Sequence, residues 1–304
     1  MSGAGSEHAP DAPADLVIQG PDLSPEAIRD FQRRFPQAAL RRQPASVRLA
    51  AVGRAVAAAA PAAELAHRWR CDATVVAPHL RLCDFRVLAL DMDSTLVRVE
   101  CIDELAQLAG FGAEVAAITD AAMRGQIADY ADSLRRRVAL LAGLDASLLQ
   151  TVAQQRMPLT PGAERLLQAA RRAGLRTLLV TGGFGFFARI LQQQLGIDAV
   201  RANEVQLEAD RLTGIVHGPG ASPDRLIDAQ GKAEALSQAC AEAGCPTRQA
   251  IALGDGANDL AMLKLAGMGV AYHAKPHVRE QAAYRLDYSG LDGVLEWFSD
   301  AQSI

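Results

Sequence analysis

The sequence predicts an α/β protein whose core is a doubly wound parallel sheet, with a helical-bundle insertion and a small α+β module at the N-terminal end. Three observations lead to this prediction. From Phe85 onward, short apolar runs alternate with helical patterns. Residues 101–156 interrupt that rhythm with helical patterns alone, and residues 15–80 follow the order β-α-β-β-α-β. The predicted boundaries are a loose tail over 1–14, the α+β module over 15–80, the core over 81–98 and 158–304, and the helical cap over 99–157.

The α+β module begins with the apolar strand LVIQG and a helix in SPEAIRDFQRRF, where Ser24 suits the N-cap and Pro25 the first helical position. Strand-like runs near 38–41 and 46–49, an alanine-rich helix to about Trp69 and the strand ATVVA complete it. The order resembles a small ferredoxin-like or ACT-like regulatory module, which implies an amino acid as its ligand. A stabilising appendage without a ligand fits the same order equally well.

The core begins with FRVLALDMDSTLV, residues 85–97. A buried strand ends there abruptly in two carboxylates, Asp91 and Asp93. Because unpaired charge at the end of a buried strand is costly, a divalent cation or a hydrogen-bond network must meet it. A simple turn explains the same letters, since Asp and Ser both favour turns. This stretch alone leaves the two interpretations open.

The insertion and the rest of the core are predicted from periodicity and from turn residues. Helical patterns in the insertion cover 104–108, 113–123, 130–141 and 147–155. Thr160 is then expected to cap a helix that ends at Gly174, and RTLLV forms the next strand. After it come a helix over 186–195, a hairpin over 199–215, a helix over 232–243, the strand QAIAL, a helix over 260–265 and a short strand over 269–272. Strands that alternate with helices favour parallel order.

Polar residues accompany these strands at the end of the sheet where α/β proteins bind ligands. T-G-G over 181–183 offers a hydroxyl and N–H groups that a phosphate can approach closely. G-D-G-A-N-D over 254–259 crowds oxygen ligands that favour Mg²⁺ over zinc, and Lys232 could neutralise a phosphate. Taken singly, these features are also explained by a strand-to-helix turn, an Asx-rich helix cap and a solvated lysine.

Composition limits the class of function. A net charge of −4 with a pI near 5.9 gives no broad basic field, so no nucleic-acid partner is expected. Five scattered cysteines without metal-site spacing indicate reduced thiols and a cytoplasmic location. The apolar stretch 49–66 is broken by Arg54, Pro61 and Glu64, and the N-terminal residues lack a secretory signal pattern. We therefore expect a soluble protein with no membrane association.

The segments DMDSTLV, VTGGF, GK and GDGANDL, in this order, resemble the four motifs of the haloacid dehalogenase-like phosphohydrolases over roughly residues 85–290. This resemblance implies that Asp91 is the nucleophile and Asp93 the general acid and base. It further implies that Mg²⁺ is bound by Asp91, the Asp93 backbone carbonyl and Asp255, that phosphate is bound by Thr181, Gly182 and Lys232, and that Asn258 and Asp259 support the metal and its surroundings.

The insertion resembles the small four-helix cap of those family members that act on phosphoserine. Glu100, Met123-Arg124-Gly125 and the segment 133–138 carry this part of the resemblance. It implies that Arg137 binds the substrate carboxylate, that Glu100 binds the ammonium group, and that Met123 and Tyr130 pack beside the short side chain, with Asn258 also near the substrate. Without the resemblance, the run 135–137 is explained as a solvated helix face and Glu100 as part of a turn.

These inferences predict a Mg²⁺-dependent phosphatase that releases L-serine and phosphate from O-phosphoserine in serine biosynthesis. A related phosphatase or phosphotransferase for another small phosphomonoester, such as phosphohomoserine, is the first alternative. The second is an amino-acid-sensing protein that acts through its N-terminal module. The sequence does not indicate an oligomeric state.

Overall fold

The structure, a computed structural model, describes residues 13–52, 60–123, 130–220 and 225–301. The chain forms two compact units. The first comprises the described residues of Met1–Asp84 and Arg285–Ile304, and the second comprises those of Phe85–Tyr284. Residues 1–12 of the predicted tail lie outside the described residues.

The first unit contains a four-stranded antiparallel sheet with the strand order β2-β3-β1-β4. Its elements are β1 Asp15–Gln19, α1 Pro25–Arg34, β2 Ala39–Arg42, β3 Ser46–Ala50, α2 Ala60–Trp69 and β4 Asp72–Val76. As predicted, the Ser24 hydroxyl caps α1 by accepting a hydrogen bond from the Ala27 N–H, and Pro25 begins the helix. Apolar side chains of the sheet and both helices, including Leu16, Phe31 and Leu49, form a core of their own.

The C-terminal residues group with this first unit, whereas the sequence-based boundaries assigned them to the catalytic core. Hydrogen bonds join these residues to the rest of the unit. The buried Arg48 guanidinium binds Asp15 and donates to the carbonyl oxygens of Glu296 and Trp297. The buried Asp72 carboxylate accepts from the backbone N–H groups of residues 287–289. Such contacts leave no periodic pattern in the sequence.

The second unit is built on a mostly parallel sheet in which strands follow the order β10-β9-β5-β6-β7-β8. Its elements are β5 Val87–Leu90, α3 Cys101–Ala109, α4 Gly112–Met123, α5 Tyr130–Ala139, α6 Ser147–Gln155, α7 Ala163–Arg172, β6 Arg176–Phe184, α8 Gly185–Leu195, β7 Ala199–Glu208, β8 Arg211–His217, α9 Ala229–Glu242, β9 Ala250–Gly254, α10 Leu260–Leu265, β10 Met268–Tyr272 and α11 Pro276–Gln281. A last short strand, β11 Tyr284–Leu286, spans the boundary between the units. Strand β5 pairs in parallel with β6 on one side and β9 on the other. The predicted α/β class and parallel sheet are thus confirmed.

Helices α3 to α6 form the insertion between β5 and β6, close to their predicted bounds. The loop after α5 is hydrogen-bonded to the β7–β8 hairpin: the Gly143 N–H donates to the Leu212 carbonyl and the Leu212 N–H to the Leu144 carbonyl. Gly214 in β8 has a φ of 81°, and a Cβ there would lie 2.9 Å from the Cβ of Ala142. The insertion is therefore packed tightly against this hairpin at one end.

Two details differ from the predicted elements. Helix α7 begins after Gly162, which has a left-handed φ of 82°, so the expected side-chain cap by Thr160 is wrong. Thr160 is instead buried and donates its N–H to the Leu96 carbonyl, beside a bridge between Val97 and Leu159. Strand β6 also continues to Phe184, four residues beyond RTLLV.

No helix among the described residues has the length and apolar character needed to cross a membrane. The five cysteines all lie in the described part of the chain and form no disulfide bond there.

Candidate active site

The polar segments lie at one edge of the parallel sheet, as predicted. Asp91 follows β5 directly and Asp255 follows β9, and the last residue of β5, Leu90, pairs with Leu253 in β9. Thr181 lies near the end of β6 on the other side of β5. Because neighbouring parallel strands end at the same edge, their following side chains converge there.

A tight turn, Met92–Leu96, follows Asp91 and orients the second carboxylate. Ser94 has a φ of 54°, in the left-handed region, and the turn is closed by the hydrogen bond from the Val97 N–H to the Met92 carbonyl. The Asp93 carboxylate accepts from the Cys101 N–H at 2.9 Å, at the start of α3. The core turn and the first cap helix thereby fix the direction of Asp93.

Lys232 is fully buried beneath this edge. Its Nζ lies 2.5 Å from Oδ1 of Asp91 and 2.7 Å from Oδ1 of Asp259. The Asp228 side chain caps the helix that carries Lys232 by accepting from the Gly231 N–H. Burial alone would lower the pKa of Lys232, but the two carboxylates outweigh burial and raise that pKa above its usual value. The lysine is therefore a charged side chain held inside the protein by paired carboxylates.

Three carboxylates cluster at the same place. One oxygen each from Asp91, Asp255 and Asp259 lie within 4.8 Å of one another. Burial and then the charge of Asp259 raise the pKa of Asp91 well above its ordinary value and that of Asp255 to about 7. Crowded oxygen donors of one sign suit a hard divalent cation, so these residues fit such a metal. The predicted contribution of the Asp93 backbone carbonyl stays a prediction.

The hydroxyl of Thr181 links the phosphate-binding candidates to Asp93. It donates to Oδ2 of Asp93 at 3.2 Å and accepts from the Gly183 N–H at 2.8 Å. Burial, followed by the negative charge of Glu100, raises the pKa of Asp93 to about 6. A group with this pKa can both hold and release a proton near neutral pH.

The cap brings Tyr130 directly onto the T-G-G segment. A Cβ added to Gly182 would lie 2.0 Å from the Tyr130 hydroxyl oxygen, so only glycine allows this approach. Arg137 is almost fully buried on the same helix, and its Nη1 lies 4.0 Å from Asp103. The Nε of Arg137 has no hydrogen-bond partner among the described residues, which leaves a donor for a ligand.

The other predicted substrate contacts are less closely defined. Glu100 is exposed and accepts a hydrogen bond from the Ser94 hydroxyl at 2.7 Å. Asn258 is partly buried and its side-chain oxygen lies against Gly256. The side chain of Met123, together with the rest of the predicted Met123-Arg124-Gly125 segment, lies outside the described residues.

Two buried polar residues of the site were not predicted from the sequence. The Thr95 hydroxyl donates to Asp255 at 3.4 Å, and its position inside DMDSTLV could have suggested this. Asn203 lies in β7 with no exposed surface and hydrogen-bonds to Gly182 and Ile227. A single asparagine within a predicted hairpin gives no local signal of such a role.

Comparison with known proteins agrees with this geometry. Residues 88–264 match the family model described as haloacid dehalogenase-like hydrolase, so the chain belongs to that family. The chain is 51% identical to "Phosphoserine phosphatase" from Polaromonas sp. (strain JS666 / ATCC BAA-500) over 223 residues, which cover 73% of this chain and 93% of that protein.

Solved structures give the same picture. A HAD family hydrolase from Salmonella enterica subsp. enterica serovar Typhi is 28% identical with a TM-score of 0.83, and the match covers 95% of this chain and 99% of that one. A phospho-aspartyl intermediate analogue of phosphoserine phosphatase is 33% identical with a TM-score of 0.64, and its match covers 71% of this chain and 99% of that one.

The buried lysine yields a prediction about stability. Lys232→Met should lower the free energy of unfolding by roughly 3 to 5 kcal/mol, because it leaves Asp91 and Asp259 buried without their shared ammonium group. Adding Asp259→Asn to Lys232→Met should recover part of the loss. Denaturant unfolding with a chelator present measures both effects.

The control for this prediction is Lys264→Met. Lys264 is exposed and hydrogen-bonds to Gln281, so its loss should change the free energy of unfolding by no more than about 0.5 kcal/mol. Equal effects of the two lysine substitutions would contradict the assigned role of Lys232.

Proposed function

We propose that this protein hydrolyses O-phospho-L-serine to L-serine and phosphate through an aspartyl-phosphate intermediate. The observation that carries the proposal is the buried contact between Asp91 and Lys232 at the ligand-binding edge of a parallel sheet, with Thr181 beside it. The phosphoserine phosphatases to which the chain is similar supply the substrate class.

Asp91 is the proposed nucleophile. One of its carboxylate oxygens attacks the phosphorus, and the bond between phosphorus and the serine oxygen breaks. The substrate phosphate is an anion and repels a carboxylate, so positive charge is needed before attack. Lys232 supplies one such charge at 2.5 Å from Asp91, and the backbone N–H of Gly182 offers a neutral donor to the phosphate. Thr181 would bind the phosphate by turning its hydroxyl hydrogen away from Asp93.

Asp93 is the proposed proton carrier. It donates a proton to the departing serine oxygen in the first step. In the second step it takes a proton from the water that attacks the phosphorus, which releases phosphate and restores Asp91. The raised pKa of Asp93, about 6, suits a group that must be protonated in one step and ionised in the next.

Mg²⁺ is the cation that we propose for the acidic cluster. Asp91, Asp255 and the Asp93 backbone carbonyl would hold it, with Asn258 and Asp259 in support. The donors are oxygens, which Mg²⁺ prefers. Burial, and then the negative charge of Asp259, raise the pKa of Asp255, and a cation would offset both effects. When bound, the cation supplies the positive charge that keeps these carboxylates ionised and polarises the phosphoryl oxygens.

The cap is the proposed source of substrate choice. Phosphoserine carries a carboxylate and an ammonium group next to its phosphate ester. Arg137, whose Nε has no hydrogen-bond partner among the described residues, can bind the carboxylate, and Glu100 can bind the ammonium group. Tyr130 lies against Gly182, where it closes the phosphate end of the site, and Met123 would pack beside the substrate.

We also propose a cytoplasmic location, a role in serine biosynthesis, and an ACT-like regulatory function with an amino-acid ligand for the first unit. The β-α-β-β-α-β order and the antiparallel sheet support the last of these. Retention of the full set of site residues supports a working enzyme rather than a sensor whose catalytic core is secondary.

Phosphate release from a panel of phosphomonoesters, with and without Mg²⁺, tests the proposed function. We expect a kcat/KM for phosphoserine at least about a hundred-fold higher than for phosphohomoserine or for a simple alkyl phosphate, because the cap binds both charged groups of the amino acid. Chelation should abolish turnover, and Mg²⁺ should restore it. Similar rates across the panel would contradict the specific substrate.

Asp91→Asn should reduce turnover by at least about a thousand-fold, because the amide oxygen is a poor nucleophile. The chain should remain folded, since an uncharged side chain suits this buried position, where the pKa of the acid is already raised. Single-turnover kinetics and intact-mass detection of a phosphorylated protein measure the loss. Asp22→Asn, in an exposed turn, is the control, and substantial activity of Asp91→Asn would refute the nucleophile.

Arg137→Ala should raise KM for phosphoserine about 10- to 100-fold, because it removes charged hydrogen bonds to the substrate carboxylate. A substrate without a carboxylate should lose much less. Arg136→Ala is the matched control, since Arg136 is exposed on the same helix and is paired with Asp132. Equal effects of Arg137→Ala on both substrates, measured by steady-state kinetics, would contradict its role.

A further inference from the structure

The side chain of Asn203 forms hydrogen bonds with two segments that come from different parts of the chain. Its Nδ2 donates to the Gly182 carbonyl at 2.8 Å, and its Oδ1 accepts from the Ile227 N–H at 2.7 Å. A weaker contact of 3.4 Å joins Nδ2 to the Ile227 carbonyl. Asn203 has no exposed surface, so no solvent replaces these bonds.

The first partner, Gly182, lies where β6 departs from regular pairing with β7. Val180 pairs with Arg201 and Phe184 with Asn203, with a register shift between them. Four steps along β6 thus correspond to two along β7, so residues 181–183 bulge out of the ladder. Backbone groups in a bulge lose their strand partners, and the Asn203 side chain binds one of them.

The bulge contains a peptide unit whose orientation matters for an anion. The Gly182 carbonyl is held by Asn203, and the N–H of the same peptide, on Gly183, is held by the Thr181 hydroxyl. Glycine on both sides gives this peptide unusual freedom to rotate. Rotation of this peptide would break both hydrogen bonds and displace the neighbouring Gly182 N–H, the proposed phosphate donor, so the hydrogen bond from Asn203 preserves the position of that donor.

The second partner, Ile227, leads into the helix that carries the buried ammonium group. Ile227 precedes Asp228, the N-cap of α9, and Lys232 lies in the first turns of that helix. Through Ile227, Asn203 therefore restrains the start of the segment that places Lys232 against Asp91.

We propose that Asn203 is a positioning residue for phosphate, one that holds the Thr181–Gly182 cradle and the start of α9 in fixed relation. This inference rests on the proposed function, in which both segments bind the substrate phosphate. Asn203 affects phosphate binding only indirectly, through these two segments. Its loss should therefore weaken binding of the phosphate end of the substrate and leave recognition of the amino-acid end unchanged.

The test is inorganic phosphate binding by the full-length protein with Mg²⁺, measured by calorimetry. We expect Asn203→Ala to weaken phosphate binding about ten-fold, the effect of losing one or two buried hydrogen bonds. In steady-state kinetics, KM should rise by the same factor for phosphoserine and for a phosphomonoester without the amino and carboxyl groups. Asn203→Ser, which keeps a hydroxyl, is used in its place if the alanine variant does not fold.

Thr177→Val is the matched control, because it removes a buried hydroxyl that bonds Asp198 at the opposite end of β6. It should lower thermal stability and leave phosphate affinity within about two-fold of the unsubstituted protein. Equal weakening of phosphate binding by the two substitutions would overturn the proposal, as would unchanged affinity in a folded Asn203 variant. If the unsubstituted protein binds phosphate and does not hydrolyse phosphoserine, the proposed function fails while the positioning role is still decided by the affinities.

Discussion

The buried ammonium group of Lys232 is the constraint on which the catalytic unit depends. A buried charge is very costly unless it is paired. Lys232 is paired with two carboxylates, those of Asp91 and Asp259, and both residues lie in segments that follow strands of the sheet. Their approach requires the start of α9 to lie beneath the ends of β5 and β9. The same contact that stabilises this arrangement brings a positive charge to the proposed nucleophile, so folding and chemistry share one interaction.

The single positive charge of Lys232 does not neutralise the three carboxylates of the acidic cluster, and the excess negative charge makes the cluster suited to a cation. Asp91, Asp255 and Asp259 crowd their oxygens within 4.8 Å, and Lys232 binds two of the three carboxylates. Burial is the main cause that raises the pKa of Asp255 to about 7, and repulsion by the charge of Asp259 adds to it. A divalent cation relieves that repulsion and also offsets the charge of a phosphate monoester. The proposed metal would therefore both stabilise this buried cluster and serve the proposed reaction.

How far the sequence could predict this structure depends on whether a feature is local. The strand before Asp91 and the helix start at Ser24 were predictable, because apolar runs and caps are local patterns. The role of Asn203 was not predictable, because its partners lie 21 and 24 positions away and involve main-chain atoms. The attachment of the C-terminal residues to Arg48 escaped for the same reason. Thr160 matched a cap pattern, but its hydrogen bond to Leu96, at the end of the turn after β5, took precedence over that local preference.

The β7–β8 hairpin connects the T-G-G segment with the helical cap, two parts of the site that the sequence motifs do not link. Its first strand carries Asn203, which holds the bulge at Gly182, and its tip is hydrogen-bonded to the cap loop at Gly143. Tyr130, at the opposite end of the helix before that loop, reaches back to Gly182. The segment 181–183, the proposed phosphate site, is therefore linked to the cap directly by Tyr130 and indirectly by the hairpin. Because closely packed elements transmit small shifts, the position of the cap and the geometry of the cradle are set together.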